Sequence, residues 1–152
     1  MTREKSEINV VVEGKAETPT RVNITSGKFS MIIDEPEQMG GTDQGPTPMQ
    51  ALLMALAGCI NITGSFVAQQ KNLEMHHMSV RIEGSMNPGT FMGMPSNDRA
   101  GFREIEVHID ADFPHATEKE IAEWVEETEN RCPVTDNIKE KTKIIVHTRE
   151  TV

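Results

Sequence analysis

Two cysteines, Cys59 and Cys132, carry the most distinctive chemistry in this chain of 152 residues. Cys59 lies within an apolar, helix-forming run, and Cys132 begins a Cys-Pro-Val sequence directly after a second helix-forming segment. A buried thiol combined with a thiol at a helix terminus suits a reversible dithiol–disulfide couple. The alternative is a pair of inert core cysteines, because free cysteine is among the residue types most often buried.

The composition argues against nucleic acid and membranes as partners. The formal net charge is −9, the basic residues are scattered, and the aromatic residues are five Phe and one Trp. A polyanion needs a basic patch, and stacking on bases needs exposed aromatic rings. The first ten residues lack the apolar core of a signal peptide, and the longest apolar stretch, residues 49–62, is too short to span a bilayer. We therefore expect a cytoplasmic protein, in which a transient catalytic disulfide is more usual than a persistent one.

Apolar periodicity and turn residues predict groups of strands and helices. A two-residue turn at Ser26-Gly27 is predicted to close a hairpin, and the Gly- and Pro-rich residues 34–48 are predicted to form a loop. The predicted strands are residues 8–12, 21–25, 28–33, 78–84, 104–110 and 143–147. The predicted helices are residues 49–71, 121–130 and 134–139.

The helix predicted at residues 49–71 has apolar groups on nearly every face, which is typical of a core helix. Gly58 and Gly64 lie inside it, although each costs about 1 kcal/mol of helix propensity relative to alanine. We expect these glycines to let another backbone, a partner helix or a substrate come close beside Cys59. The pattern predicts an α+β fold, with antiparallel strands covering a buried central helix, in one domain spanning residues 1–152.

The second helix has a clear start and a defined inner face. Thr117 and Glu120 form a capping-box pattern, and Trp124 and Val125 are predicted to point inward. Pro133 suits the first turn of the short helix that follows, which places Cys132 at a helix N-terminus. The partial positive charge at that position favours thiolate over thiol.

The sequence GGTDQGPTPMQALLMALAGCINIT at residues 40–63, followed by RCPV at residues 131–134, resembles the OsmC/Ohr superfamily of thiol peroxidases. The preceding Asp-Glu-Pro at residues 34–36 resembles the subgroup with that tripeptide before GG-x-D-x-GP. The resemblance covers nearly the whole chain. It implies an intertwined homodimer in which antiparallel sheets wrap around two long central helices, with the active sites at the subunit interface.

The resemblance also implies a chemistry for the two thiols. Cys59 would attack the O–O bond of a peroxide and become a sulfenic acid, and Cys132 would resolve it to a disulfide. An external dithiol would then reduce the pair, without a metal or another cofactor. The apolar neighbours Met49, Leu56 and Phe66 are predicted to form a substrate pocket that favours an organic hydroperoxide over hydrogen peroxide.

The chain departs from the family where the peroxidases supply an arginine and a carboxylate to activate the attacking thiol. Positions that carry Glu in many relatives are Met49 and Gln50 here. We predict that Arg21 and Gln50 flank Cys59; the alternative for Arg21 is a solvated strand residue. The departure leaves a second function open, that of a non-catalytic dimeric relative that binds a small lipophilic ligand in the interface cavity.

The histidines are predicted to be solvated rather than metal-binding. His76 and His77 are adjacent at the start of a strand and point to opposite faces. His108 and His115 have no Cys or His at ligand spacing.

Overall fold

The structure is a computed structural model that describes residues 7–149. The chain divides into two compact units, Met1–Leu52 and Leu53–Val152, and the boundary lies within the longest helix. Helices and antiparallel strands make the fold α+β, as predicted. The strands are β1 (Glu13–Ala16), β2 (Val22–Ser26), β3 (Phe29–Ile33), β4 (His77–Ser85) and β5 (Glu104–Asp112), and the α-helices are α1 (Pro48–Gln70), α2 (Glu118–Arg131) and α3 (Pro133–Lys139).

The first unit contains an antiparallel sheet in which β2 lies between β1 and β3. Ser26 pairs with Phe29, so the hairpin turn is Gly27-Lys28 rather than the predicted Ser26-Gly27. Gly27 adopts a φ of 57°, a left-handed conformation that glycine reaches without a Cβ clash. The predicted turn is therefore wrong by one residue, because the left-handed glycine takes the first central position.

Two predicted strands near the chain ends do not form within the part that the structure describes. Residues 8–12 and 143–147 are irregular, and the first strand begins only at Glu13. Their β-branched side chains are exposed, with Ile8 86% and Ile144 84% accessible. High β-propensity needs a neighbouring strand to pair with, and neither segment has one among residues 7–149.

Asp34, whose side chain is fully buried, organises the loop that follows β3. Its carboxylate accepts hydrogen bonds from the hydroxyls of Thr20 (3.0 Å) and Thr42 and from the backbone N–H groups of Glu35 (2.8 Å) and Gln44 (3.2 Å). Burial alone would raise the pKa of this carboxyl, but the hydrogen bonds outweigh burial and hold the pKa well below its ordinary value. The carboxylate therefore fixes the loop only while it is ionised.

Two glycines of the same loop pass close to neighbouring backbone. A Cβ atom on Gly41 would overlap the carbonyl group of Glu35, and a Cβ on Gly45 would overlap that of Ile32. Larger residues at these positions would force the loop away from β3. Close packing against neighbouring backbone therefore explains why two positions of the GG-x-D-x-GP motif, Gly41 and Gly45, are glycine.

We expect Asp34→Asn to lower the melting temperature at pH 7 by several degrees. The amide replaces one accepting oxygen with an NH₂ group that faces hydrogen-bond donors. Because the folded pKa is depressed, the ionised carboxylate stabilises the fold fully above the ordinary value of 3.8. This contribution shrinks below 3.8 and disappears only as the pH falls through the folded pKa. Thermal unfolding between pH 7 and pH 3 should therefore show the gap between the wild type and the variant narrowing at the lowest pH without closing.

Asp43→Asn is the matched control for this prediction. Asp43 belongs to the same loop, is exposed, and has a φ of 53°, a conformation that asparagine also tolerates. We expect its melting temperature to stay near that of the wild type. Equal losses in the two variants, or a difference for Asp34→Asn that does not depend on pH, would contradict the assigned role.

The second unit contains a two-stranded sheet. β4 and β5 pair antiparallel over their whole length, from His77 opposite Asp112 to Ser85 opposite Glu104. Alternate residues of both strands, including Val80 and Ile109, pack toward a buried cluster, and the residues between them face solvent. The alternation seen in the sequence is confirmed.

The predicted start of α2 is confirmed, and its inner face is confirmed in part. The Thr117 hydroxyl accepts from the Glu120 N–H at 3.2 Å, and the Glu120 carboxylate accepts from the Thr117 N–H at 2.8 Å. Trp124 is 1% exposed and packs edge-on against Phe113, with ring centroids 4.8 Å apart. Val125, predicted to point inward, is 40% exposed.

One side of α1 is buried in the protomer and the other side is exposed. The buried side follows helical spacing and comprises Leu56, Ile60, Thr63, Gly64, Val67 and Ala68. Large apolar side chains on the other side remain accessible, namely Met54 (59%), Ile62 (57%) and Phe66 (56%). A single protomer thus leaves about half of this apolar helix uncovered, which is unusual for a soluble monomer.

The length of α1 corrects the prediction that this apolar segment is too short to span a bilayer. The helix has 23 residues and a window of 18 with a mean hydropathy of 1.8, so it passes the length and composition test for a membrane span. Of that window, 28% is buried. The core helix of a soluble protein can have the same length and composition as a membrane-spanning helix.

The two glycines of α1 differ in their surroundings, which gives a matched pair of variants. A Cβ on Gly64 would lie 2.9 Å from Trp124 and 3.1 Å from Met78, whereas a Cβ on Gly58 meets nothing within 4 Å. We expect Gly58→Ala to raise the free energy of unfolding by up to about 1 kcal/mol through helix propensity. Gly64→Ala should lower it by about 1 kcal/mol, because overpacking costs roughly 1–3 kcal/mol and exceeds the propensity gain.

Urea denaturation at one fixed protomer concentration checks this pair, because association would otherwise change the apparent stability. The group that approaches Gly64 is the indole of Trp124, whose N–H donates to the Gly64 carbonyl at 2.8 Å, and not the backbone, partner helix or substrate that was predicted. Equal effects of the two substitutions would contradict this explanation.

Candidate functional site

Cys132 is shared by two helices. It ends α2 after Arg131 and serves as the N-cap of α3, whose first residue is Pro133. Its Sγ accepts a hydrogen bond from the backbone N–H of Thr135 at 3.5 Å, and its side chain is fully buried. The predicted placement of Cys132 at a helix N-terminus is confirmed.

Cys59 lies on α1 next to the buried side of the helix. Leu56 and Ile60, which flank it on that side, form a buried cluster with Cys132, and Cys59 packs against this cluster. The Cys59 side chain is half-buried, and both thiols are free. Two cysteines that are far apart in sequence are therefore neighbours in the fold, and they differ in their access to solvent.

The environments of the two thiols shift their pKa values in opposite directions. Burial raises the pKa of Cys59, a hydrogen bond from the Val134 backbone lowers it, the nearby Cys132 raises it, and the Thr63 hydroxyl lowers it slightly, so that the pKa is raised overall. Burial also opposes ionisation of Cys132, but hydrogen bonds from Thr135 together with the Cys59 thiol lower the pKa of Cys132 overall. These opposite shifts hold the pKa of the buried Cys132 below that of the accessible Cys59.

Arg21 and Gln50, predicted to activate the thiolate, have defined partners within the first unit. The Arg21 guanidinium donates to the Glu17 carboxylate at 2.8 Å and to the Thr42 hydroxyl at 3.4 Å. The Gln50 side-chain oxygen accepts from the Thr47 N–H at 2.9 Å, and the Thr47 hydroxyl accepts from the Gln50 N–H at 3.2 Å. Thr47 and Gln50 thus form a capping box at the start of α1, and the pattern Thr-x-x-Gln could have revealed it.

The residues predicted to line a substrate pocket all belong to α1 and differ in their surroundings. Leu56 lines a cavity of about 310 Å³ in the second unit. Phe66 lies on the exposed side of α1 and does not line that cavity. Met49 lies in the first unit, near the start of the helix, and is partly buried.

A group of metal-ligand types on the outer face of β4 and β5 was not apparent from the sequence. Cross-strand pairing brings side-chain atoms of Glu83, Glu106 and His108 within 4.8 Å of one another. All three residues are exposed, Glu83 is paired with Arg81, and His108 lies 3.4 Å from Glu106. Exposed groups of this kind are common on protein surfaces, and His108 is exposed, as predicted.

Comparisons with known proteins identify chains of similar sequence and fold. A hydroperoxide reductase of Mycoplasma pneumoniae is 26% identical over 127 residues, which cover 84% of each chain. The crystal structure of an OsmC-like protein from Mycoplasma pneumoniae matches with a TM-score of 0.75 and 24% identity, covering 88% of this chain and 89% of that one. That of an organic hydroperoxide resistance protein from Legionella pneumophila matches with a TM-score of 0.63 and 19% identity, covering 89% and 92%.

The match to a family is direct. The model of the family described as OsmC-like protein matches residues 41–147, which include both cysteines and most of the elements described above. The long helix and the antiparallel strands correspond to the fold of the solved relatives. This chain therefore belongs to the OsmC-like protein family.

Proposed function

We propose that this protein is a thiol-dependent peroxidase that reduces organic hydroperoxides through Cys59 and Cys132. The observation that carries the proposal is the pairing of an accessible thiol with a buried neighbour that caps a helix and whose sulfur accepts a backbone N–H. The peroxide reaches the first sulfur, and the second sulfur, as a thiolate, accepts its proton. A relative described as a hydroperoxide reductase supports the same reaction class.

In the first step, Cys59 passes its proton to the Cys132 thiolate and attacks the terminal oxygen of the hydroperoxide. A bond forms between the Cys59 sulfur and that oxygen as the O–O bond breaks. The departing alkoxide takes the proton back from Cys132 and leaves as an alcohol. The sulfenic acid on Cys59 and the restored thiolate on Cys132 are then adjacent.

In the second step, the Cys132 thiolate attacks the sulfur of the sulfenic acid. The S–S bond forms, the S–O bond breaks, and the departing hydroxide takes a proton from the bulk solution and leaves as water. An external dithiol then attacks the disulfide, passes through a mixed disulfide, and is itself oxidised as both protein thiols are restored. In this scheme Cys132 serves first as a base and then as the resolving nucleophile.

The remaining parts of the site belong to the same proposal. The organic group of the substrate packs against the apolar side chains of Met49, Leu56 and Phe66. The thiol of Cys59 is flanked by Arg21 and Gln50. The protein acts in the cytoplasm as an intertwined homodimer of one OsmC-like domain per chain. The uncovered apolar side of α1 supports this dimer, because a second protomer would bury the exposed apolar side chains.

Peroxide consumption in the presence of a dithiol tests the function. We expect faster turnover of cumene or tert-butyl hydroperoxide than of hydrogen peroxide, together with one intramolecular disulfide on non-reducing electrophoresis. Consumption no faster than that by the free dithiol would refute the peroxidase and favour a non-catalytic protein that binds a lipophilic ligand.

A further inference from the structure

The cavity of about 310 Å³ lies between β5 and the three helices of the second unit. Its volume is at the lower end of the range for small-molecule sites. Aliphatic side chains form most of its wall, contributed by Leu56, Ile60, Ile105, Val107, Ile109 and Ile138. Such a wall suits a flexible hydrocarbon chain.

One polar side chain in the wall has no partner. Thr128 is 1% exposed, lines the cavity, and its hydroxyl makes no hydrogen bond to any residue that the structure describes. A buried hydroxyl without a partner typically costs about 1–3 kcal/mol. A threonine in a helix often satisfies its hydroxyl on the preceding turn, and Thr128 does not. The hydroxyl is closed to solvent as it stands, so a ligand oxygen in the cavity would satisfy it once the side chain rotates about χ1 toward the cavity.

The charged residues of the wall do not call for a charged ligand. Glu129 and Lys139 form an ion pair with a distance of 2.8 Å, and both side chains are about half exposed. The hydrogen bond to the Glu129 carboxylate also raises the pKa of Lys139, which keeps the ammonium group charged beside it at neutral pH. A carboxylate ligand would have to displace Glu129 from its partner.

We propose that this cavity binds a small, uncharged aliphatic alcohol, whose hydroxyl pairs with the Thr128 hydroxyl and whose chain packs against the aliphatic wall. The site is distinct from the thiols, because neither sulfur lines the cavity. It is adjacent to them through Thr135, which lines the cavity and donates its backbone N–H to Cys132. The proposal does not depend on peroxidase activity.

Titration of the reduced full-length protein with 1-octanol, followed by methyl NMR, tests this site. We expect saturable shifts at Ile105, Ile109 and Ile138. Thr128→Val keeps the shape but removes the hydroxyl, and it should weaken octanol binding about five- to tenfold, since a hydrogen bond contributes about 1 kcal/mol. Thr128→Ser retains the hydroxyl and should bind octanol within about twofold of the wild type.

Octane provides the control for the hydroxyl, because it has the same chain length without an oxygen. It should bind to the wild type and to Thr128→Val with equal affinity. Thermal unfolding should find Thr128→Val at least as stable as the wild type, so weaker binding would not reflect loss of the fold. Equal octanol affinity in the two proteins, shifts confined to the exposed side of α1, or shifts that do not saturate would each overturn the proposal.

Discussion

Cys59→Ser should lower the turnover of an organic hydroperoxide by about a thousandfold or more, because it removes the accessible sulfur that attacks the O–O bond. A serine hydroxyl is similar in size, so the packing against Leu56 and Ile60 should be largely retained. Circular dichroism and thermal unfolding can confirm that the variant is folded. Steady-state peroxide consumption with a dithiol reductant then measures the loss.

Cys132→Ser should show a different pattern. It should consume at most one equivalent of peroxide per Cys59, accumulate a sulfenic acid that dimedone traps, and form no intramolecular disulfide. Burial would still raise the pKa of Cys59, but the added effect of Cys132 would be gone. The pH midpoint for alkylation of Cys59 should therefore move to a lower value than in the wild type. If Cys132→Ser abolishes the reaction while Cys59→Ser still consumes one equivalent, the roles are reversed.

The double substitution Ile62→Lys and Phe66→Lys should convert the protein from a dimer to a monomer. These residues lie one turn apart on the uncovered side of α1 and are 57% and 56% exposed in the protomer. If a second protomer covers them, the two buried charges should weaken association by about a thousandfold or more. Sedimentation velocity over a range of micromolar concentrations measures the change.

Gln69→Lys is the control for added charge on the same helix, because Gln69 is already polar and exposed. It should remain dimeric. The dimer proposal fails if the wild type is monomeric at these concentrations or if the doubly substituted protein still dimerises. Co-sedimentation of the wild type with lipid vesicles would instead indicate that a membrane covers the apolar side of α1.

Features with local causes could be predicted from the sequence. The capping box at Thr117 and Glu120 and the N-cap position of Cys132 depend on residues within one helical turn, and both are confirmed. The hairpin was predicted with its turn displaced by one residue, because only strand pairing reveals which residues adjoin Gly27. Residues 8–12 and 143–147 have strand-like composition, but a strand also requires a partner, which composition cannot supply.

The candidate site shows the same difference between features with local causes and features that depend on the fold. The sequence and the family resemblance singled out the two cysteines, whereas their contact depends on the fold. The role of Asp34 was missed because an acidic residue in a Gly- and Pro-rich loop is usually solvated. Thr128 was missed because a hydroxyl without a partner is a property of its surroundings rather than of its neighbours in sequence.

The position of Cys132 as the cap of α3 links helix stability to reduction potential. In the reduced protein its sulfur accepts the N–H of Thr135, which lowers the pKa of the Cys132 thiol. A disulfide sulfur is uncharged and a poorer acceptor, so oxidation would weaken the first turn of α3. Interactions that favour the thiolate therefore favour the reduced state, which makes the disulfide a stronger oxidant and easier for a dithiol to reduce. A helix of seven residues would thus help to set the redox potential of the pair.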